Sequence, residues 1–298
     1  MFDNKIILIT GGTGSFGRHY TKTLLERYSP KKIIIFSRDE LKQFEMSQEF
    51  NQPCMRYVIG DVRVRECLEQ ACRGVDYIIH AAVLNQAPAS KYNSTAYIKT
   101  NVNSAENVIH AAICNNVSKV IALSTGKAAD PTNLYDETEV CSDKLFVSSN
   151  YMAGNGSTSF SVARYGNIVG IGGAVVPVFL DQIGNVVGHV VLADSNTIRF
   201  GISVQQCVDF VLTCFCRMHG GEIFLSENPL VGVEDPDEVQ VPDRSCKVVG
   251  HRKGEKLHGK VTPREGSYRT IKFGSRLEIE LTTEFAGDGN KYELNARG

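Results

Sequence analysis

The 298-residue chain carries 32 Lys and Arg against 33 Asp and Glu, and its formal net charge of −1 argues against a nucleic acid or an anionic membrane surface as main partner. Hydrophobic residues make up 42% and charged residues 22%, the balance of a globular chain with room for one large α/β domain or one domain plus a small lobe. No apolar run is long enough to cross a bilayer and no basic stretch followed by an apolar one opens the chain, so a cytoplasmic location is expected.

In chain order, Lys5–Thr10, Lys32–Ser37, Arg56–Ile59, Tyr77–His80 and Val120–Ser124 are short apolar runs. Such runs are what strands buried on both faces of a parallel sheet require. Between them Ser15–Arg27, Leu41–Phe50, Val64–Arg73, a stretch around Thr100–Asn115 and another starting near Tyr135 read as helices. Repeated β-α-β spacing predicts a doubly wound parallel sheet over residues 1–165. After Asn167 the pattern loosens. Gly166–Gly173 reads as a loop, Val175–Ile183 and Val204–Arg217 as helices, and Ile198–Ile202, Glu222–Leu225 and Cys246–Gly250 as strands. These predict a smaller mixed lobe over residues 166–298, partly interleaved with the first domain, in which the segment 262–298 has no clear assignment. The nine cysteines are scattered without zinc spacing, which predicts reduced, mostly buried thiols and no metal site.

Ile9–Gly17 (ITGGTGSFG) closes the first strand and opens the first helix, with Gly11, Gly14 and Gly17 spaced G-x-x-G-x-x-G. Glycine lets the backbone turn sharply and approach a pyrophosphate, and the helix start offers free N–H groups to the anion. Strand before and helix after make this a Rossmann dinucleotide loop, which places Gly11, Thr13, Gly14, Ser15, Phe16 and Gly17 at a cofactor. The second strand ends in Ser37-Arg38-Asp39, with Lys42 one turn on. Arg38 and Lys42 suit a 2′-phosphate, whereas Asp39 would suit a free ribose, so NADP is favoured over NAD. Asp61 and Val62 after the third strand, Ala81 and Ala82 after the fourth, and Asn101 complete the expected cofactor contacts.

These stretches resemble a known family. ITGGTGSFG (Ile9–Gly17), SRDELKQFEM (Ser37–Met46), MRYVIGDVR (Met55–Arg63), KTN (Lys99–Asn101), NLY (Asn133–Tyr135), SDKLF (Ser142–Phe146), RMHGGEIF (Arg217–Phe224) and GEKLH (Gly254–His258) are similar to the extended short-chain dehydrogenase/reductases, most of all the C5-inverting UDP-N-acetylglucosamine 4,6-dehydratases. The resemblance spans roughly residues 1–258. It implies NADP-assisted removal of water across carbons 5 and 6 of a UDP-sugar, giving a 4-keto-6-deoxy product inverted at carbon 5. It also implies a possible homo-oligomer, and substrate contacts from Asn85, Arg164, Asn167, Arg199, Arg252 and Glu255. The family carries a catalytic Tyr-x-x-x-Lys and an Asp-Lys pair. Here the first reads Tyr135 to Glu139 and the second Gly126-Lys127; the family's Lys after the fourth strand is Asn85, and its later Arg is replaced within Ile171-Gly172-Gly173.

Tyr135, Lys127 and Thr125 remain as candidate catalytic residues. Residues 135 and 139 share a helix face, so an anion now stands where a cation would stabilise the phenolate. At ~5 Å and an effective dielectric of about 20 each of these two effects is roughly 3 kcal/mol. Glycine at 126 cannot donate the proton that departing water needs. Two readings follow: an enzyme of this family impaired in its proton transfers, or a paralogue that binds NADP and a UDP-sugar as a binding or partner subunit.

Overall fold

The computed structural model describes residues 1–153, 158–169, 189–192, 198–226, 230–232, 245–248, 270–273 and 277–281. Its first half alternates strand and helix: β1 (Ile6–Thr10), α1 (Ser15–Arg27), β2 (Lys32–Ser37), α2 (Glu40–Glu49), β3 (Met55–Ile59), α3 (Arg65–Ala71) and β4 (Tyr77–His80). Two short turns of helix, α4 (Ala87–Ser90) and α5 (Ser94–Tyr97), lead through a π-helical stretch, Ile98–Asn103, into α6 (Ser104–Cys114). Then come β5 (Lys119–Thr125), α7 (Leu134–Ala153), β6 (Ser159–Tyr165), β7 (Asn167–Val169), β8 (His189–Leu192), β9 (Ile198–Ser203) and α8 (Val204–Arg217). The described chain closes with β10 (Glu222–Ser226), β11 (Leu230–Gly232), β12 (Ser245–Val248), β13 (Thr270–Phe273) and β14 (Leu277–Leu281).

One sheet runs in the order β13-β14-β10-β6-β5-β4-β1-β2-β3. From β3 to β10 its neighbours pair in parallel, and β14 and β13 add an antiparallel margin. Alternation along β1 explains the layering. Ile7 and Ile9 face one core with Tyr20 and Leu24 of α1, Met46 of α2 and Phe215 of α8. Leu8 faces the other, with Leu68 of α3, Val108 of α6 and Phe146 of α7. Each β-α-β connection thus covers one face or the other, as a doubly wound sheet demands. Chain order reverses between β1 and β4, which opens a crevice at their carboxyl ends.

Several expectations change. Ser159–Tyr165, not anticipated as a strand, is the sixth of the parallel set, and Glu222–Ser226, assigned to the lobe, is the seventh. The supposed loop 166–173 begins with a strand, β7, which pairs with β9. Of the described cysteines only Cys72, Cys207 and Cys214 are buried, while Cys114, Cys141 and Cys216 are exposed, so the thiols are not mostly interior. The helix expected at Val175–Ile183 lies outside the described residues.

Candidate active site

The crevice is built from the loop after β1. Gly11 takes φ +64°, and a Cβ there would stand 2.7 Å from the Ala81 carbonyl oxygen. At Gly17 a Cβ would lie 2.4 Å from the Gly12 carbonyl oxygen, so α1 packs onto the loop only without a side chain. Gly14 caps α1 with no side-chain hydrogen bond, and Gly14 and Ser15 are exposed. A helix start of this kind leaves first-turn N–H groups available to an anion. Phe16 contributes backbone alone, because its ring is buried against Tyr20 at 5.4 Å. Thr13 is buried and shares a 2.9 Å hydrogen bond with the Ser37 hydroxyl, tying the loop to the end of β2.

Beyond Ser37 the Arg38 side chain is exposed. Asp39 is already committed: it caps α2 by accepting the Lys42 N–H at 3.0 Å, and its carboxylate lies 3.6 Å from Lys42 Nζ. Asp61 is held below the usual carboxylate range, chiefly by hydrogen bonds from the Arg63 guanidinium, with Arg38 adding attraction. Val62 is buried and offers its carbonyl to the Asn107 amide at 3.1 Å. Ala81 and Ala82 lie half-buried against Gly11. Behind them the buried His80 ring meets the Thr10 hydroxyl at 2.8 Å, and that oxygen accepts the Ala81 N–H at 3.2 Å. Burial pushes His80 down to about 4. The strand end that faces the cofactor loop is thus braced by an uncharged imidazole.

Two expected ligand contacts turn inward. Asn101 donates to the Leu84 carbonyl at 3.1 Å and to Thr138 Oγ1 at 3.0 Å, and accepts the Leu84 N–H at 2.9 Å. Asn101 thereby pins the loop after β4 to α7. Arg164, expected at the substrate, is 3% exposed and holds Asp143 of α7 at 2.7 Å. Asn85 is exposed at the rim. Asn167 and Arg199 sit on the paired strands β7 and β9, and Arg252 and Glu255 lie outside the described residues.

The reacting corner lies where β5 meets α7. Thr125 ends β5, and its side chain caps the following turn by accepting the Lys127 N–H at 3.2 Å. Lys127 Nζ stands 4.8 Å from the centre of the Tyr135 ring, a cation–π contact. Lys144 is exposed, as its position around α7 requires. Tyr135 is fully buried, packed edge-on against Tyr97, and its hydroxyl makes no well-formed hydrogen bond among the described residues. Burial raises the phenol well above its ordinary value, the Glu139 charge adds to this, and the Thr125 hydroxyl opposes it.

Beyond Glu139, the sequence did not announce the carboxyl groups Asp136 and Asp143. Asp136, Glu139 and Asp143 project from one face of α7 and are 1%, 3% and 3% exposed. Spacings of three and four were the available signal, since they stack side chains on one helix face. Burial drives the Glu139 carboxyl well above its usual range; Asp143 adds to this, Lys127 opposes, Asp136 adds and Arg164 opposes. The buried Tyr165 at the end of β6 completes the wall, and burial raises it too. Helix, turn and two strand ends thus enclose a phenol, an ammonium and carboxyl groups, and an open glycine loop adjoins them across the crevice.

Comparison with known proteins fixes the lineage. The family model for polysaccharide biosynthesis proteins matches residues 7–280. The chain belongs to that family. It is 50% identical over all 298 residues to a UDP-N-acetylglucosamine 4,6-dehydratase (inverting) of Campylobacter jejuni, covering 89% of that protein. It is also 36% identical, over 94% of this chain and 84% of the relative, to a UDP-glucose 4-epimerase of Rickettsia akari. Among solved structures, Pen from Bacillus thuringiensis superimposes with a TM-score of 0.89 at 29% identity, covering 94% of this chain and 88% of that one. A dTDP-glucose 4,6-dehydratase from Streptomyces venezuelae, solved with NAD bound, shares the fold with a TM-score of 0.76 at 19% identity, covering 88% and 90%. The sheet order, the family model and the full-length identity agree with the expected fold and family.

Proposed function

We propose that this protein binds NADP and a UDP-sugar in the crevice between β1 and β4, and that it is a 4,6-dehydratase-type enzyme impaired in its proton transfers. The residues fit a dinucleotide. Gly11 leaves space at Ala81 that any side chain would fill, and the uncapped start of α1 supplies donors for a pyrophosphate. Asp39 serves as the cap of α2, which leaves Arg38 as the charged group at the end of β2 and favours a 2′-phosphate over a bare ribose. A nicotinamide bound there supplies hydride acceptance and return.

The protein's own residues do the remaining work, and there the site falls short. Thr125 Oγ1 and the Tyr135 hydroxyl lie together at the end of β5, where a sugar hydroxyl would be held. Taking a proton from that hydroxyl requires a phenolate, yet burial and Glu139 both oppose one. Lys127 remains able to approach the sugar from the turn after β5, but Gly126 beside it offers no acid for the departing water. Loss of one general acid typically costs roughly 10²–10⁴ in rate.

The observation that carries this reading is a buried Glu139 beside the buried Tyr135 on an otherwise family-like frame. The same observation favours a second reading, a binding or partner subunit that holds both ligands without turnover. Incubation with UDP-N-acetylglucosamine, followed by mass spectrometry of sugar and protein-bound nucleotide, separates them. Slow formation of a 4-keto product supports the first, retained NADP with unchanged sugar selects the second, and failure to retain any dinucleotide overturns both.

A further inference from the structure

Among the described residues, the corner between β5, β6 and α7 holds more carboxyl groups than cations. Asp136, Glu139 and Asp143 are all nearly inaccessible, and the cations acting on Glu139 are Lys127 and Arg164. A buried carboxylate lacking its own cation takes up a proton instead of remaining charged. The geometry shows which one. Burial raises Asp143 as well, but Arg164 Nη2 and the Ser124 hydroxyl both donate to its Oδ2, at 2.7 and 2.9 Å, and oppose that rise. Asp136 lies in the first turn of α7, where the helix dipole favours an anion, and accepts the Thr132 N–H and hydroxyl at 3.1 and 3.2 Å. Glu139 sits a turn deeper, away from that end. Lys127 opposes its protonation only by charge, since the Lys127 ammonium lies over the Tyr135 ring on the half-exposed side of the corner.

We infer that the exchangeable proton of this corner resides on Glu139, so that a carboxylic acid, and not the Tyr135 phenol, is the group that gains and loses a proton as the site works. The inference deepens the proposed reading, which makes this corner the reacting end of a sugar-nucleotide pocket. Glu139 would act as a positioning residue. While protonated it places no negative charge against Tyr135 and Tyr165. Once ionised it draws on Lys127 and opposes any second anion on the phenols.

A phenol in water is a weaker acid than a carboxylic acid by about five to six pK units. Burial raises both groups here and the Glu139 charge raises the phenol further, so the carboxyl, which starts lower, empties first. Tyr135 then remains a hydrogen-bond donor over the range in which Glu139 titrates. The Thr125 hydroxyl beside it favours ionisation of the phenol, but burial and the Glu139 charge outweigh it.

Infrared difference spectra of the ligand-free, full-length protein, recorded from neutral to alkaline pH, test this. A carboxylic-acid carbonyl band is expected at neutral pH, absent in Glu139→Gln and lost before Tyr135→Phe-sensitive tyrosinate absorbance appears. With NADP present, the pH dependence of its affinity is expected to lose one ionisation in the same Gln variant. Absence of the band in the wild type, its persistence in Glu139→Gln, or tyrosinate forming first would overturn the inference. Should Glu139→Gln not fold, Lys127→Gln serves: it removes the opposing cation, so the band must survive to higher pH, and an unmoved band refutes the assignment. The infrared arm needs no ligand, so its failure leaves dinucleotide binding standing, and failure of dinucleotide binding leaves the proton's location testable.

Discussion

Replacing Glu139 is the perturbation whose size follows most directly from the structure. Residues 135 and 139 are one turn apart on α7, both almost wholly buried, so solvent screening between them is slight. Side chains at that spacing lie about 5 Å apart, and at an effective dielectric of about 20 one unit charge acting on the phenolate is worth roughly 3 kcal/mol. That equals about two pK units. Glu139→Gln removes an anion that is present by the time the phenol ionises, so tyrosinate should form about two units lower. Glu139→Lys also adds a cation and should lower it by roughly four. The assay is alkaline difference absorbance of each variant against its Tyr135→Phe partner. A Lys variant that moves no further than the Gln variant would refute the argument, because residue 139 would then not be facing the phenol.

Four further outcomes are expected. The His80 imidazole is pushed below its unfolded value to about 4, so its stabilising contribution is complete above the unfolded value and lost as pH falls from about 6.5 towards 4. That loss is about 3 kcal/mol, visible as a falling denaturation midpoint that His80→Asn should flatten. Gly11→Ala forces a Cβ against the Ala81 carbonyl at positive φ, and it should abolish NADP binding in fluorescence titrations and destabilise by about 1–3 kcal/mol. Asp143→Asn leaves Arg164 buried without its anion and should lower unfolding stability in urea by about 3–5 kcal/mol. Arg38→Ala should erase any preference for NADP over NAD in paired affinity measurements, and an unchanged ratio would place the 2′-phosphate elsewhere.

The sheet was legible where the sequence is locally unambiguous. Lys32–Ser37 and Tyr77–His80 are apolar runs that became β2 and β4 with the anticipated boundaries, and the glycine spacing placed the start of α1 at Ser15. Ser159–Tyr165 escaped notice because it alternates serine and arginine with apolar residues. Its Ser161 hydroxyl is buried on Glu222 at 2.6 Å and its Arg164 on Asp143, partners that lie far away in sequence. The same distance hid Glu222–Ser226, whose place beside β6 depends on that pairing.

In the site, a one-turn relation between Tyr135 and Glu139 could be read directly, as could the orientation of Lys144 away from them. The inward turn of Asn101 could not, because it depends on Thr138 and the Leu84 backbone meeting it from other elements. Nor could the partnership of Arg164 with Asp143, which creates a charged interior. Residue identity suggested what these groups can do; packing determined what they face.

The most direct trial of the account compares initial rates of 4-keto sugar formation from UDP-N-acetylglucosamine in the native chain and in a Gly126→Asp, Glu139→Lys double variant that still binds NADP. The native chain should turn over far below ~1 s⁻¹, the low end of ordinary enzyme rates, and the variant should rise by two or more orders of magnitude. A native rate at or above ~1 s⁻¹ would contradict the claim that the phosphate cradle has outlived its proton-transfer set.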